Sequence, residues 1–203
     1  MSNVVTVPSE VLRSPCKAIT SLDTRVIKVI EDMYKTLKKT KNPQGVGLAA
    51  PQIGESLRIF LSRPDPDGKI TLFINPEILK FSQRQIDPYK KKGVYEGCLS
   101  IPGHYAPIRR AMSVTVSYLT IKSKIQNPNN QINPKLKNQN FLDLRISALE
   151  FESKIETFSN FTAHVIQHEV DHLNGILFID RVLEQNAKLY RVKGKDDWEE
   201  VSL

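Results

Sequence analysis

Ser159-Asn-Phe-Thr-Ala-His-Val-Ile-Gln-His-Glu-Val-Asp-His-Leu-Asn-Gly175 reads as a helix from about Phe161 to Leu173, with Ser159 or Asn160 as its cap and Gly175 at its C-terminal stop. Phe161, Val165, His168 and His172 share one stripe at helical spacing, and Ile166, Val170 and Leu173 share another. A helix with two apolar sides crosses the middle of a domain, so the rest of the chain is expected to wrap around it. His168 and His172 stand four apart, which points both imidazoles from one side of the helix toward a single metal ion. Glu169, next to the first of them, is placed to take a proton from a metal-activated water and return it to a leaving amine. The competing reading of this pentapeptide is two hydrogen-bonded histidines on a packed helix. His164 extends the series by one more step. Three ligands along one straight helix would span about 12 Å, too far for one ion, so His164 reads as a pocket wall or a satisfied buried histidine.

Outward from this helix, strands dominate. Residues 113–121 alternate in polarity, as do Leu142, Leu144, Ile146 and Ala148. Between them, residues 126–140 hold six Asn, three Gln and two Pro, too few apolar groups to offset the entropy of ordering. Short strands are expected at 57–61 and 70–74, around the turn signal Pro64-Asp-Pro-Asp-Gly68. Near the N-terminus, Leu22, Val26, Val29, Ile30, Met33 and Leu37 form the apolar stripe of a helix over 21–40, with Ser21 or Asp23 as cap and Asn42-Pro43 beyond its end. Gly45-Val-Gly-Leu-Ala-Ala-Pro-Gln-Ile-Gly54 reads as a shaped turn rather than a helix. Runs of strands with isolated helices, rather than strand and helix in alternation, predict an α+β class. Residues 1–203 are expected to form a single domain with a flexible loop at 122–140 and a basic C-terminal tail at 181–203, where Val182, Leu183, Leu189 and Tyr190 suggest a last helix.

Composition agrees with one domain. The chain has 203 residues, 40% apolar and 25% charged, and a chain of this length removes roughly 70% of its unfolded surface from water. With only Cys16 and Cys98, a disulfide scaffold is excluded. The charge of +7 reads as solvation before it reads as a polyanion footprint, although Lys122, Lys124, Lys135 and Lys137 fall in a stretch without acidic residues. No apolar run approaches the ~18 residues of a membrane span, and the first residues lack a basic segment followed by an apolar one, so the expected location is the cytoplasm.

A catalytic metal site needs a third protein ligand. The extended zinc-endopeptidase pattern fails, because Phe178 stands where a histidine is required, and Glu184 and Glu199 have no supporting local pattern. Cys98 remains, in Tyr95-Glu-Gly-Cys-Leu-Ser-Ile-Pro-Gly103, with a buried apolar thiol as its ordinary reading. Taken together, Gly45-Val-Gly-Leu-Ala-Ala-Pro-Gln52, Glu96-Gly-Cys-Leu-Ser100 and Gln167-His-Glu-Val-Asp-His172 resemble, in order and spacing, the three signature motifs of peptide deformylases. The Asn-rich stretch is the main departure, and the fold that the resemblance implies is α+β, with mixed, mainly antiparallel strands around a central metal-binding helix.

The resemblance implies that Cys98, His168 and His172 hold a divalent metal ion, commonly Fe2+ in the family, with Zn2+, Ni2+ or Co2+ as alternatives. It implies Glu169 as catalytic acid and base, and Gln52 with the Leu99 backbone N–H as donors to the formyl oxygen. The implied reaction removes the N-formyl group from the initiator methionine of nascent polypeptides and releases formate. Substrate contacts fall to Val46, Gly47, Val94, Glu96, Gly97, Phe161, His164 and Val165, of which Val46, Phe161 and Val165 read equally as core. Gly45 and Gly47 would let an extended peptide approach the backbone. Glu96 and Arg110 are expected to form an ion pair behind the metal loop, with a solvated Arg110 as the alternative. The implied partners are formylmethionyl nascent peptides and, through the basic loop or tail, the ribosome; neither a membrane nor specific DNA is expected. The competing functions are a catalytically silent binding module of the same fold and a zinc endopeptidase.

Overall fold

A computed structural model describes residues 3–40, 44–65, 67–90, 93–123, 149–194 and 197–202. Helix α1, Thr24–Lys39, opens on Asp23, whose side chain accepts a hydrogen bond from Val26 N–H at 2.8 Å. This settles the choice between Ser21 and Asp23, and it satisfies one of the unpaired donors of the first turn. The chain then forms β1 (Gly47–Ala49), a single turn of 3-10 helix (Ala50–Ile53), β2 (Ile59–Ser62), β3 (Thr71–Phe81) and β4 (Gln85–Ile86). Next come β5 (Glu96–Cys98), β6 (Ile101–Ala106), β7 (Arg110–Ala111), β8 (Ser113–Ser123) and β9 (Leu149–Ser159). Helix α2 (Asn160–Leu173), helix α3 (Phe178–Glu184), β10 (Leu189–Val192) and β11 (Trp198–Val201) complete it.

Five strands make the larger sheet in the order β1-β2-β3-β8-β9, and four make the smaller one in the order β11-β10-β6-β5. Residues of β2 alternate between two cores, as the period of a strand dictates. Ile59 and Leu61 join Leu48, Leu72 and Ile74 against Val26, Val29, Met33 and Leu37 of α1. Phe60 faces the other way, with Phe73, Val114 and Val116, onto Ala163, Ile166, Val170 and Leu173 of α2. The larger sheet thus lies between the two helices, and α2 is buried from Ala163 through Leu173. A third cluster, including Leu12, Cys98, Ile101, Ile108, Phe178, Val182 and Leu189, ties the smaller sheet to α3.

The α+β class holds, with several corrections of detail. All strand pairings among the described residues are antiparallel apart from a lone parallel bridge, Lys17 to Leu57. The segment expected to be a shaped turn contributes β1, because Gly47, Leu48 and Ala49 pair with Ser62, Leu61 and Phe60. Lys122 and Ser123 belong to β8 rather than to a loop, paired with Glu150 and Leu149. The rest of the expected loop and the strand expected over 142–148 lie outside the described residues. The last helix stops at Glu184, and Leu189 and Tyr190 start a hairpin whose β-branched and aromatic residues suit a strand. The tail is not basic either: Arg181, Lys188, Arg191, Lys193 and Lys195 are matched by Glu184, Asp196, Asp197, Glu199 and Glu200. Lys188 pairs with Glu200 at 2.8 Å and Lys193 with Glu199 at 2.9 Å. Among the described residues no helix is long and apolar enough to cross a membrane.

Candidate metal centre and active-site cleft

Strand β5 and helix α2 bring Cys98, His168 and His172 together. The register of β5 on β6 slips between Gly97, opposite Tyr105, and Cys98, opposite Ile101, so Cys98 sits at the mouth of a tight turn. Its Sγ lies 3.1 Å from His172 Nε2, and the ligand atoms of the three residues all fall within 4.8 Å of one another. One first-row metal ion bridges such a spacing with minor side-chain adjustment. Burial pushes the Cys98 thiol up, but His172 and His168 beside it bring it down to about 5, which favours the thiolate a metal needs. His168 turns Nδ1 to Glu96 Oε1 at 2.7 Å, leaving Nε2 for an ion; a carboxylate behind a ligating imidazole fixes both its tautomer and its ring orientation.

Glu169 is 3% exposed. Burial pushes its carboxyl up to about 7, against the pull of His168 and His172. Its Oε2 has no hydrogen-bond partner among the described residues. The other oxygen lies over Gly47, where a Cβ would stand 2.1 Å from Oε1. Glycine is therefore required at 47 to make room for the carboxylate, a reason additional to backbone approach by a peptide. Gln52 is fixed by its own side chain: Oε1 accepts from Ala49 N–H at 2.9 Å, which turns Nε2 toward Cys98 Sγ at 3.6 Å and Ser100 Oγ at 3.4 Å.

Glu96 is the hub behind these candidate ligands. Arg110 donates to both of its oxygens, Nε to Oε2 at 2.9 Å and Nη2 to Oε1 at 2.7 Å, and His164 Nε2 lies 2.9 Å from Oε2. Burial pushes the Glu96 carboxyl up, yet Arg110 and His168 hold it well below the usual range. Arg110 continues to Asp171 Oδ2 at 2.6 Å, and Arg181 grips Asp171 through Nη2 at 2.5 Å and Nε at 2.9 Å. At 6% exposure Arg110 is not a solvated surface residue. Because both Glu96 oxygens are engaged, its side chain serves the imidazoles rather than a substrate.

The cleft over this cluster encloses about 380 Å³. Val46, Gly47, Gln52, Val94, Glu96, Gly97, Cys98, Leu99, Phe161, His164, Val165, His168 and Glu169 all line it, and His172 lies beneath, 1% exposed. Glu184 and Glu199 are elsewhere, paired with Arg181 and Lys193. Sequence reasoning missed Tyr95, His104 and Tyr105, which form part of the rim, and Asp171. The rim carried no local signal. Asp171 did carry one, an acidic residue on a buried helix three positions after His168.

The chain matches the family model for polypeptide deformylase over residues 1–131 and 138–188, which passes over part of the Asn-rich stretch. It is 39% identical over 176 residues to peptide deformylase 1 of Bacillus cereus, covering 86% of this chain and 88% of that one. Peptide deformylase of Desulfotalea psychrophila is 33% identical over 196 residues, 95% of this chain and 94% of the relative. Among solved structures, the peptide deformylase of Thermotoga maritima superposes with a TM-score of 0.65 at 31% identity, covering 89% of this chain and 97% of that chain. A Met-Ala-Ser-bound class I type b peptide deformylase from Acinetobacter baumannii gives 0.65 at 29% identity, over 89% and 97%.

Proposed function

This chain belongs to the polypeptide deformylase family, and from that premise we propose which residues carry the removal of the N-formyl group from nascent polypeptides, with residues 1–203 acting as one catalytic domain. Cys98, His168 and His172 hold a divalent metal ion. When bound, the ion supplies Lewis acidity that polarises the formyl group and makes water nucleophilic at neutral pH. Glu169 takes the proton from the attacking water and delivers it to the departing methionine amine, so that formate and a free amino terminus result. The observation carrying this role is the buried Oε2 that lacks a partner beside the three ligands.

Gln52 Nε2 and the Leu99 N–H donate to the formyl oxygen as negative charge develops there. The methionine side chain occupies the cleft among Val46, Val94, Phe161, His164 and Val165, and the peptide backbone runs past Gly47 and Gly97. Support comes from the lining of the cleft and from the relative captured with Met-Ala-Ser. We take Fe2+ as the resident ion and the cytoplasm as the location, with Zn2+, Ni2+ and Co2+ acceptable to the same donors. Contact with the ribosome through residues 122–140 is tested by salt-dependent cosedimentation of the full chain.

The decisive experiment purifies the protein without oxygen, measures metal content and assays formate release from formyl-Met-Ala-Ser. Glu169→Ala is expected to lower turnover by about 10²- to 10⁴-fold with the metal retained. Gln52→Leu is expected to lower it by about 10²- to 10³-fold. Equal formate release by wild type and Glu169→Ala overturns the mechanism.

A further inference from the structure

The C-terminal hairpin lies beyond the residues that match the family model, which end at 188. It is nevertheless built into the sheet that carries Cys98. Tyr190 and Arg191 of β10 pair with Tyr105 and His104 of β6, and Tyr105 pairs with Gly97 of β5. Gly97, Tyr105 and Tyr190 therefore stand in one row across three strands. A Cβ on Gly97 would lie 2.6 Å from two ring carbons of Tyr105, so the absent side chain lets this ring lean over the strand toward the cleft. Trp198 of β11 packs on that ring with centroids 5.3 Å apart. It also meets Tyr95 at 5.7 Å and Tyr190 at 6.3 Å. Both Tyr95 and Tyr105 line the cleft, while Trp198 is 44% exposed and Tyr89, against Tyr95 at 6.5 Å, is 61% exposed. The result is a continuous aromatic shelf leading from the cleft rim into solvent.

We propose that this shelf binds the part of the substrate that follows the formylmethionine, stacking aromatic side chains at its third or fourth residue on Trp198, Tyr105 and Tyr95. The proposal rests on the deformylase reading of the cleft. Tyr95 stands three residues before Cys98, about 10 Å along an extended strand, the distance an extended peptide covers in three residues. Exposed rings fixed by neighbouring rings offer area at little entropic cost, and a further ring adds to them in offset or edge-on contact. Aromatic shelves also stack nucleic-acid bases. Here Asp197, Glu199 and Glu200 are balanced by Lys188, Lys193 and Arg191, so the hairpin has no net positive charge to draw a polyanion.

Trp198 is the sole tryptophan of the chain, which makes its fluorescence a reporter for this shelf alone. The metal-loaded protein is titrated with the product peptide Met-Ala-Phe-Tyr, with Met-Ala-Ser, and with a ten-nucleotide oligouridylate. The aromatic peptide is expected to change the emission at lower concentration than Met-Ala-Ser, and the oligouridylate to leave it unchanged. In parallel, kcat/KM is measured for formyl-Met-Ala-Phe-Tyr and formyl-Met-Ala-Ser. The wild type is expected to prefer the aromatic peptide by about two- to tenfold, the size of one aromatic pair. Trp198→Ala should bring that ratio to about one, and Trp198→Phe should restore much of it. An unchanged ratio in Trp198→Ala, or emission that answers the oligouridylate and not the peptide, overturns the proposal. Absence of formate release from every peptide by wild type would instead overturn the deformylase reading, and the fluorescence titration would still decide whether the shelf binds peptide.

Discussion

Ion pairs hold together two regions of this molecule that otherwise have little in common. Behind the candidate metal ligands, Arg110 joins Glu96 and Asp171, all less than one-tenth exposed, in a cluster that includes two histidines. On the C-terminal hairpin, Lys188–Glu200 and Lys193–Glu199 have similar lengths but side chains about half exposed. Water screens the second set far more than the first. The buried set therefore does more than stabilise: it makes Glu96 a fixed anion whose partners set the direction of His168, whereas the hairpin pairs mainly leave that strand edge charged and polar. The same residue types have different consequences because of where the fold puts them.

The contrast predicts a descending series. Arg110→Met leaves the buried Glu96 without its guanidinium, while Asp171 keeps Arg181, and should cost about 3 to 5 kcal/mol of folding stability in urea titrations. A variant as stable as wild type would show that solvent reaches the hub. Glu96→Gln removes the anion behind His168, and metal affinity measured by competition with a chelator should fall by about 10- to 100-fold. Retained affinity would mean that α2 alone orients the imidazole.

Cys16 tests an intermediate environment. Half-burial pushes its thiol up to about 11 despite the opposing pull of Arg58, so the folded state favours the neutral form. The unfolded thiol ionises near 9.0, so this contribution is complete below that pH and is lost as pH rises through 11. Wild type should lose slightly more stability than Cys16→Ala between those limits, measured by thermal melts at each pH. Lys193→Ala, at the exposed end of the series, should leave Tm within experimental error at any salt concentration. A clear drop would place the hairpin pairs in the same class as the hub.

Much of the centre was legible because its chemistry is local. Four-residue spacing on a helix placed His168 and His172 on one side whatever surrounds them, and Glu169 travels with them. The apolar stripes of both long helices likewise announced which faces would be covered. Cys98 was harder, since nothing in its own stretch distinguishes a ligand from a buried thiol, and its selection leaned on the likeness of three separated motifs. The tail was misread on two counts. Val182 and Leu183 do lie in a helix, but Leu189 and Tyr190 belong to a strand that pairs through Tyr190 with Tyr105 of β6, 85 residues earlier in the chain, and through Leu189 with Val201 of β11. Its charge is balanced rather than basic, because five acidic residues stand against five basic ones between 181 and 203.

What the sequence determined by itself was the set of periodic elements, the helix-borne candidate metal ligands and, through three motifs, the family to be expected, because period and spacing act over a few residues and survive any packing. Tertiary structure decided the rest. Only the fold could show that Gly47 is small because Glu169 occupies its side, that Asp171 and Arg110 stand behind Glu96, and that Trp198 reaches the rim through Tyr105. Those relations join residues far apart in the chain, and their strength depends on exclusion of water or on ring-to-ring contact. Neither quantity exists until the sheets and the central helix have packed.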